Sequence, residues 1–209
     1  MLFGIVISAA ITSLCVFSGV DWEIARFFEQ HPIFIYAAIP GVIAGMIVPI
    51  IIVVFYFFRS KKNPSELKNQ LVFQLSIGLV VSFLISTLLK SLTNRVDMEP
   101  FEILGETDFS ASFRFGFMNG KDLWESLSEG WPSGHTFVAI TFFVLLKPFF
   151  NEKQNRIHLL YAVIIMLSVV TSFHWFSDVL SGAILGFIVA KNIQLVASHS
   201  IRKNNKSVQ

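Results

Sequence analysis

Three short polar clusters interrupt an otherwise apolar chain, and each carries groups that can act on an anion. Lys90–Arg95 (KSLTNR) places two cations five residues apart. Trp131–His135 (WPSGH) joins a proline and a serine, which suit a helix start, to a glycine and a histidine. His174–Asp178 (HWFSD) sets a histidine four residues before a carboxylate, which puts both on one face of a helix. Membrane anchors and ordinary helix caps are the competing structural interpretations.

The residue types favour transfer of a phosphoryl group. Gly134 lets an anion approach the free N–H groups at the predicted helix start. A carboxylate such as Asp178 that holds one ring nitrogen of His174 makes the other nitrogen a better nucleophile. His135 can donate or accept a proton beside it. The set predicts a phosphohistidine stabilised by cations and N–H groups without a metal, since no third acidic or cysteine ligand has the usual spacing.

The composition places these clusters in a membrane. The chain has 209 residues, of which 54% are hydrophobic and 14% charged, against about 25% charged in an ordinary soluble domain. A soluble domain cannot bury so much apolar surface, so much of the chain must lie in lipid. A formal net charge of +2 does not indicate a nucleic-acid partner. The single cysteine, Cys15, excludes an intrachain disulfide framework.

Six segments are apolar and long enough, or nearly so, to cross a membrane as helices. They are Leu2–Val20, Ile33–Phe58, Leu71–Leu92, His135–Phe150, Ile157–Phe173 and Val179–Ser198. The predicted fold is an all-α integral membrane bundle of six transmembrane helices, forming a single domain over residues 1–201. A polar cytoplasmic tail over residues 202–209 follows it.

Charge predicts the orientation of this bundle. The inner ends of the second, fourth and sixth spans, together with the segments that follow them, hold 11 of the 16 basic residues. The positive-inside rule therefore puts both termini in the cytoplasm and all three clusters at the outer ends of spans. The longest outer loop covers about residues 91–134. Within it 122–129, and after the first span 21–30, are predicted to be amphipathic helices at the membrane surface.

With PSGH followed about 40 residues later by HxxxD, an upstream lysine motif and six spans, the chain resembles the type 2 phosphatidic acid phosphatase superfamily. The resemblance covers residues 70–190 and implies metal-independent hydrolysis of lipid phosphates or diphosphates at the outer leaflet. It implies that His174 is the nucleophile, Asp178 its orienting carboxylate and His135 the acid for the leaving group. It also implies phosphate binding by three further residues, Lys90, Ser133 and the N–H of Gly134.

Two positions depart from the family pattern. The first motif, K-x6-R-P, would place arginine and proline at Asp97 and Met98, and the third motif would place an arginine at Ser168. Each charge-assisted hydrogen bond contributes about 1.5–3 kcal/mol, so two absent arginines need replacements. Arg95 and Arg114, the latter on the long outer loop, are the candidates for binding phosphate in their place.

The predicted activity is that of a phosphoric monoester or diphosphate hydrolase acting on membrane lipids. Candidate substrates are undecaprenyl diphosphate, phosphatidylglycerol phosphate, phosphatidic acid and lipid A. A lipid-to-lipid phosphotransferase and a non-catalytic lipid-binding relative are the alternatives. No cofactor is expected. The expected partners are a phosphorylated lipid and the bilayer, with the oligomeric state left open. The predicted location is a bacterial inner membrane, with the site facing the periplasm or the cell exterior.

Overall fold

The protein is helical through most of the part that this computed structural model describes, residues 1–98, 105, 107–117, 130–171 and 173–206. These residues form seven α-helices: α1 Leu2–Phe17, α2 Val20–Glu29, α3 Ile33–Lys62, α4 Glu66–Thr93, α5 Gly134–Leu146, α6 Glu152–Val170 and α7 Phe176–Lys206. They include no strand, and one isolated antiparallel bridge pairs Arg95 with Phe113. The predicted all-α class is confirmed. The helix predicted over 122–129 lies outside the described residues.

Polar caps mark where two of the helices begin. The Ser65 side chain accepts a hydrogen bond from the N–H of Lys68 at 3.3 Å at the start of α4. Asn151 and Gln154 form a reciprocal capping box at the start of α6, with bonds of 3.0 and 3.3 Å. Each of the six predicted spans contains one main helix. The first span extends beyond the end of α1 to the start of α2, and the fourth extends beyond α5 through a 3-10 turn at Lys147–Phe149. Helix α2 confirms the helix predicted over 21–30.

Helix α5 lies at the centre of the bundle and packs against α3, α4, α6 and α7, while α1 packs against α7. The approach of α5 and α7 depends on two glycines. A Cβ atom on Gly182 would lie 2.5 Å from the carbonyl oxygen of Ser133, and one on Gly186 would lie 2.5 Å from that of Phe137. The two backbones therefore touch, and this contact fixes the start of α5 against the first turns of α7.

The interior combines apolar clusters, such as the one around Phe142 and Leu145, with small polar side chains that pair between helices, and further large apolar side chains cover the outside. Ser82 donates to Thr141 at 3.0 Å between α4 and α5, and Thr12 and Ser181 share a hydrogen bond of 3.0 Å between α1 and α7. On the outside, Phe17 is 88% exposed. Helices packed by small and polar residues with apolar outer surfaces are typical of proteins in lipid.

The lengths of the helices indicate a membrane protein. Three are long and apolar enough to cross a membrane: α3, α4 and residues Phe176–Ser198 of α7. Helices α1 and α2, bent by 65° at their junction, meet the same test as one broken span. Gly134–Phe149 is a shorter apolar helix. The crossing of the membrane by all six segments and the cytoplasmic location of both termini stay predictions.

Candidate active site

The WPSGH and HWFSD clusters meet where α5 and α7 begin. The N–H of Ser133 donates to the carbonyl oxygen of Asp178 at 3.1 Å. The ring centroids of His135 and His174 lie 6.3 Å apart. His174 is buried in the turn before α7 rather than within the helix, and its N–H donates to the Val169 carbonyl at 2.8 Å. The structure thus brings together the two histidines that were predicted to share one reaction.

Unpaired polar atoms collect at the start of α5. Ser133 Oγ, Thr136 Oγ1 and His135 Nε2 are buried and have no hydrogen-bond partner among the described residues. Buried polar groups normally have partners, so Ser133 Oγ and His135 Nε2 are available to bind a polar ligand. A Cβ atom on Gly45 of α3 would lie 3.0 Å from Cδ2 of His135, so this glycine leaves room for the imidazole.

Two carboxylates face Nδ1 of His174. Asp97 Oδ2 lies 3.3 Å from Nδ1 and Asp178 Oδ2 lies 4.0 Å from it. Asp97 was not among the predicted site residues and stood out only as the place of an absent arginine. Burial opposes its charge, but neighbouring His174, the charge of Lys90 and a 2.8 Å bond from the N–H of Gly130 hold its pKa below the ordinary value. Asp97 therefore faces His174 as a carboxylate.

Arg95 is fully buried at the centre of an ion network. Its Nε and Nη2 donate to the carbonyl oxygen of Ser110 at 3.0 and 2.7 Å. Nη2 also binds Asp21 at 2.7 Å, and Nη1 binds Ser177 at 2.8 Å. Nη1 further pairs with Oδ1 of Asp178. All five N–H groups of the guanidinium, which we expected to contact phosphate, are thus directed at acceptors within the protein.

Asp21 lies in the first turn of α2, the helix that the sequence predicts at the membrane surface, and its side chain contacts the site. Its side chain is 1% exposed, and it accepts hydrogen bonds from both the N–H and the hydroxyl of Ser177, at 2.8 and 2.6 Å. The Arg95 guanidinium also lies 5.1 Å from the ring of Phe113 and 5.5 Å from that of Trp175. No sequence pattern indicated that Asp21 is a buried counterion, because an acidic residue on an amphipathic helix is normally solvated.

The other predicted phosphate ligands lie at different depths. Lys90 is buried in the last turn of α4, close enough to stabilise the charge of Asp97. Arg114 is exposed, and its N–H donates to the carbonyl oxygen of Asn94 at 3.3 Å. That hydrogen bond holds the Arg114 backbone next to Arg95, near the end of α4.

Close packing of α6 against α3 gives a steric reason for the absence of the third-motif arginine at position 168. Ser168 is 7% exposed on α6, against Gly41 of α3. A Cβ atom on Gly41 would collide with the Ser168 hydroxyl, so the two helices are in close contact at this point. A long side chain at position 168 would not fit between them without separating the helices.

The cluster around His174 has the composition of a cation site. Asp97, His174 and Asp178 each offer one ligand atom, and these atoms lie within 4.8 Å of one another. The sequence interpretation lacked a third ligand, and Asp97 supplies it. Two carboxylates and an imidazole can hold a divalent cation such as Zn²⁺ or Mn²⁺.

Comparison with known proteins identifies the family. A family model described as PAP2 superfamily matches residues 71–204, which include all three polar clusters. No curated protein and no solved structure matches the chain. The matched region runs from α4 into α7 and leaves out α1, α2 and α3, and with them Asp21. Members of the superfamily are typically phosphatases, which supports a phosphoester hydrolase. Given this match, the chain belongs to the PAP2 superfamily of type 2 phosphatidic acid phosphatases.

Proposed function

We propose that the protein dephosphorylates a lipid phosphate or diphosphate at the outer leaflet through a phosphohistidine on His174, without a metal ion. The observation that carries the proposal is the pair of histidines, buried His174 and half-buried His135, 6.3 Å apart between ring centroids, beside the N-terminus of α5. Undecaprenyl diphosphate, phosphatidylglycerol phosphate, phosphatidic acid and lipid A are the candidate substrates. The proposed location is a bacterial inner membrane with the site open to the periplasm or the cell exterior.

The reaction has two steps. Nε2 of His174 attacks phosphorus while the bond from phosphorus to the leaving oxygen breaks, and His135 gives that oxygen a proton. Water, deprotonated by His135, then attacks phosphorus, and the bond to Nε2 breaks to release phosphate and neutral His174. The N–H groups of the first turn of α5, the hydroxyl of Ser133 and the ammonium group of Lys90 would stabilise the oxygens of the phosphoryl group in both steps. Arg114 would add a cation from the outer loop.

An apolar cavity supports a lipid as the substrate. It has a volume of about 260 Å³ and is lined by residues of α1, by Thr93 and by Phe113, Phe115 and Trp131. Thr93 lies three residues after Lys90 on α4, so the cavity begins one helical turn from a proposed phosphate ligand. A hydrocarbon chain in this cavity would leave its phosphate near the start of α5.

Hydrolysis assisted by a divalent cation is the second candidate, favoured by the three ligand atoms of Asp97, His174 and Asp178. Asp97, His174 and Asp178 would hold the cation, which would supply the positive charge that the absent arginines would have given. The two candidates differ in their response to a chelator.

The test is phosphate release by purified protein in detergent with EDTA, over a panel of lipid monophosphates and diphosphates. His174→Ala is the variant, and His158→Ala, a substitution on α6 outside the site, is the matched control. Release that persists in EDTA and in the control but is lost in His174→Ala supports the proposal. Release that EDTA abolishes and Mn²⁺ or Zn²⁺ restores would favour the metal-assisted route. Transfer of phosphate to an added lipid alcohol would identify a phosphotransferase.

A further inference from the structure

Asp97 occupies the position at which the family motif has a phosphate-binding arginine, yet its surroundings are those of a partner for histidine. Oδ2 lies 3.3 Å from Nδ1 of His174, and the side chain is 8% exposed. The same oxygen accepts the N–H of Gly130 at 2.8 Å. Aspartate carries the opposite charge to arginine, so this side chain cannot bind phosphate in the way that the arginine of the motif does.

The two carboxylates near His174 are not equivalent. One Nδ1–H group can donate fully to only one of them. Nδ1 makes no hydrogen bond to the described residues in this structure. Asp97 Oδ2, at 3.3 Å, lies closer to it than Asp178 Oδ2, at 4.0 Å. Oδ1 of Asp178 is paired with Arg95, which is held in turn by Asp21. Oδ1 of Asp178 is thus held in the ion network, whereas its Oδ2 has no partner among the described residues and lies farther from His174 than Asp97 does.

Gly130 holds Asp97 in place. Its φ of +100° is a conformation that side chains other than glycine rarely adopt, and its N–H points at Oδ2 of Asp97. Gly130 lies three residues before Ser133, so the segment that leads into α5 also fixes the carboxylate. A carboxylate held by the backbone on one side can orient an imidazole on the other.

We propose that Asp97 is the positioning residue of His174, receiving its Nδ1–H, and that Asp178 serves chiefly to anchor Arg95. This inference rests on the proposed phosphohistidine reaction. Asp97 keeps the lone pair of His174 on Nε2, directed at phosphorus. When Nε2 bonds to phosphorus, the ring gains positive charge, and the carboxylate of Asp97 stabilises it while Nδ1 keeps its proton. Breakage of the bond to Nε2 returns the ring to its neutral form.

Two substitutions at one position test the proposal. Asp97→Asn keeps the shape and removes the charge, and we expect kcat to fall about 100- to 10,000-fold with little change in KM. Asp97→Arg restores the residue of the family motif but sets a cation against Nδ1, so it should lose at least as much activity. Glu23→Gln, which removes a carboxylate from the exposed face of α2, is the matched control and should keep the wild-type kcat.

Two results for variants at positions 97 and 178 would contradict the proposal. If Asp97→Arg kept or raised kcat/KM, position 97 would be a phosphate-binding position and the proposal would be wrong. It would also be wrong if Asp97→Asn kept the wild-type kcat while Asp178→Asn lost it without a fall in thermal stability. Formation of phosphohistidine in a single turnover, stopped with alkali, should slow in Asp97→Asn by the same factor as kcat.

A second measurement does not need turnover and separates this proposal from the proposed function. ¹⁵N–¹H spectra of histidine-labelled protein, with His174→Gln to assign the signal, report which ring nitrogen carries the proton. The proposal predicts Nδ1–H in the wild type and a rise of the Nε2–H form in Asp97→Asn. The same spectrum in both proteins would overturn it, even if no lipid is hydrolysed. Failure of the wild type to release phosphate would contradict only the reaction.

Discussion

Replacement of Arg95 should lower the unfolding temperature of the protein markedly, because the guanidinium is the counterion of two buried carboxylates. Arg95→Met keeps much of the volume but leaves Asp21 and Asp178 buried without their cation. Loss of one partner of a buried ion pair costs about 3–5 kcal/mol. At this chain length each kcal/mol shifts Tm by about 2–4 °C, so the expected fall is about 6–20 °C.

Unfolding in detergent, followed by tryptophan fluorescence, measures this shift. Asp21→Asn alone should also lower Tm, and the double variant should lose less than the sum of the two, because each single change already breaks the same pair. Arg114→Met is the control, since its side chain is exposed and surface changes usually stay within about 0.5 kcal/mol. If Arg95→Met kept Tm within about 2 °C and instead raised KM, Arg95 would bind phosphate and the ion network would be the wrong explanation.

Three further predictions follow from single contacts. Gly182→Ala places a Cβ 2.5 Å from the Ser133 carbonyl oxygen, so it should lower both Tm and phosphate release, with a cost of about 1–3 kcal/mol. Thr12→Val leaves the indole N–H of Trp131 without its 2.8 Å acceptor and should cost about 1–3 kcal/mol, measured by thermal unfolding against Ser13→Ala. The folded protein lowers the pKa of Asp97, so its contribution to stability is present above about pH 4 and is lost as pH falls through the folded pKa. In EDTA, the Tm difference between wild type and Asp97→Asn should therefore shrink below about pH 4, and a constant difference would contradict the ionised carboxylate.

The sequence was sufficient for the parts of the molecule that depend on local pattern. Long apolar segments predict helices because a helix satisfies all the backbone hydrogen bonds of a segment in lipid within that segment. The family resemblance drawn from PSGH and HxxxD is confirmed. The proximity of His135 and His174 follows from placing both clusters at the same end of neighbouring helices.

The rest could not be predicted because it depends on contacts between distant parts of the chain. Asp21 and Arg95 are 74 residues apart, and Arg95 and Asp178 are 83 apart. Burial changes the role that each charge is expected to have. Asp21, on an amphipathic helix, is a buried counterion, and Arg95, which we expected to bind phosphate, forms ion pairs within the protein. The motif comparison showed Asp97 only as the place of an absent arginine, because a motif records residue types and not distances. The role proposed for Asp97 depends on the 3.3 Å between its Oδ2 and Nδ1 of His174.

The most direct test of the account is to trap the covalent intermediate. Protein in detergent with EDTA is mixed with a ³²P-labelled lipid phosphate identified by the release assay, stopped with alkali within one turnover, and digested to map the label. The phosphohistidine mechanism predicts an alkali-stable, acid-labile phosphoryl group on the peptide that contains His174, absent from His174→Ala. Phosphate release with no label on His174 at any time point, or label that persists in His174→Ala, would contradict it.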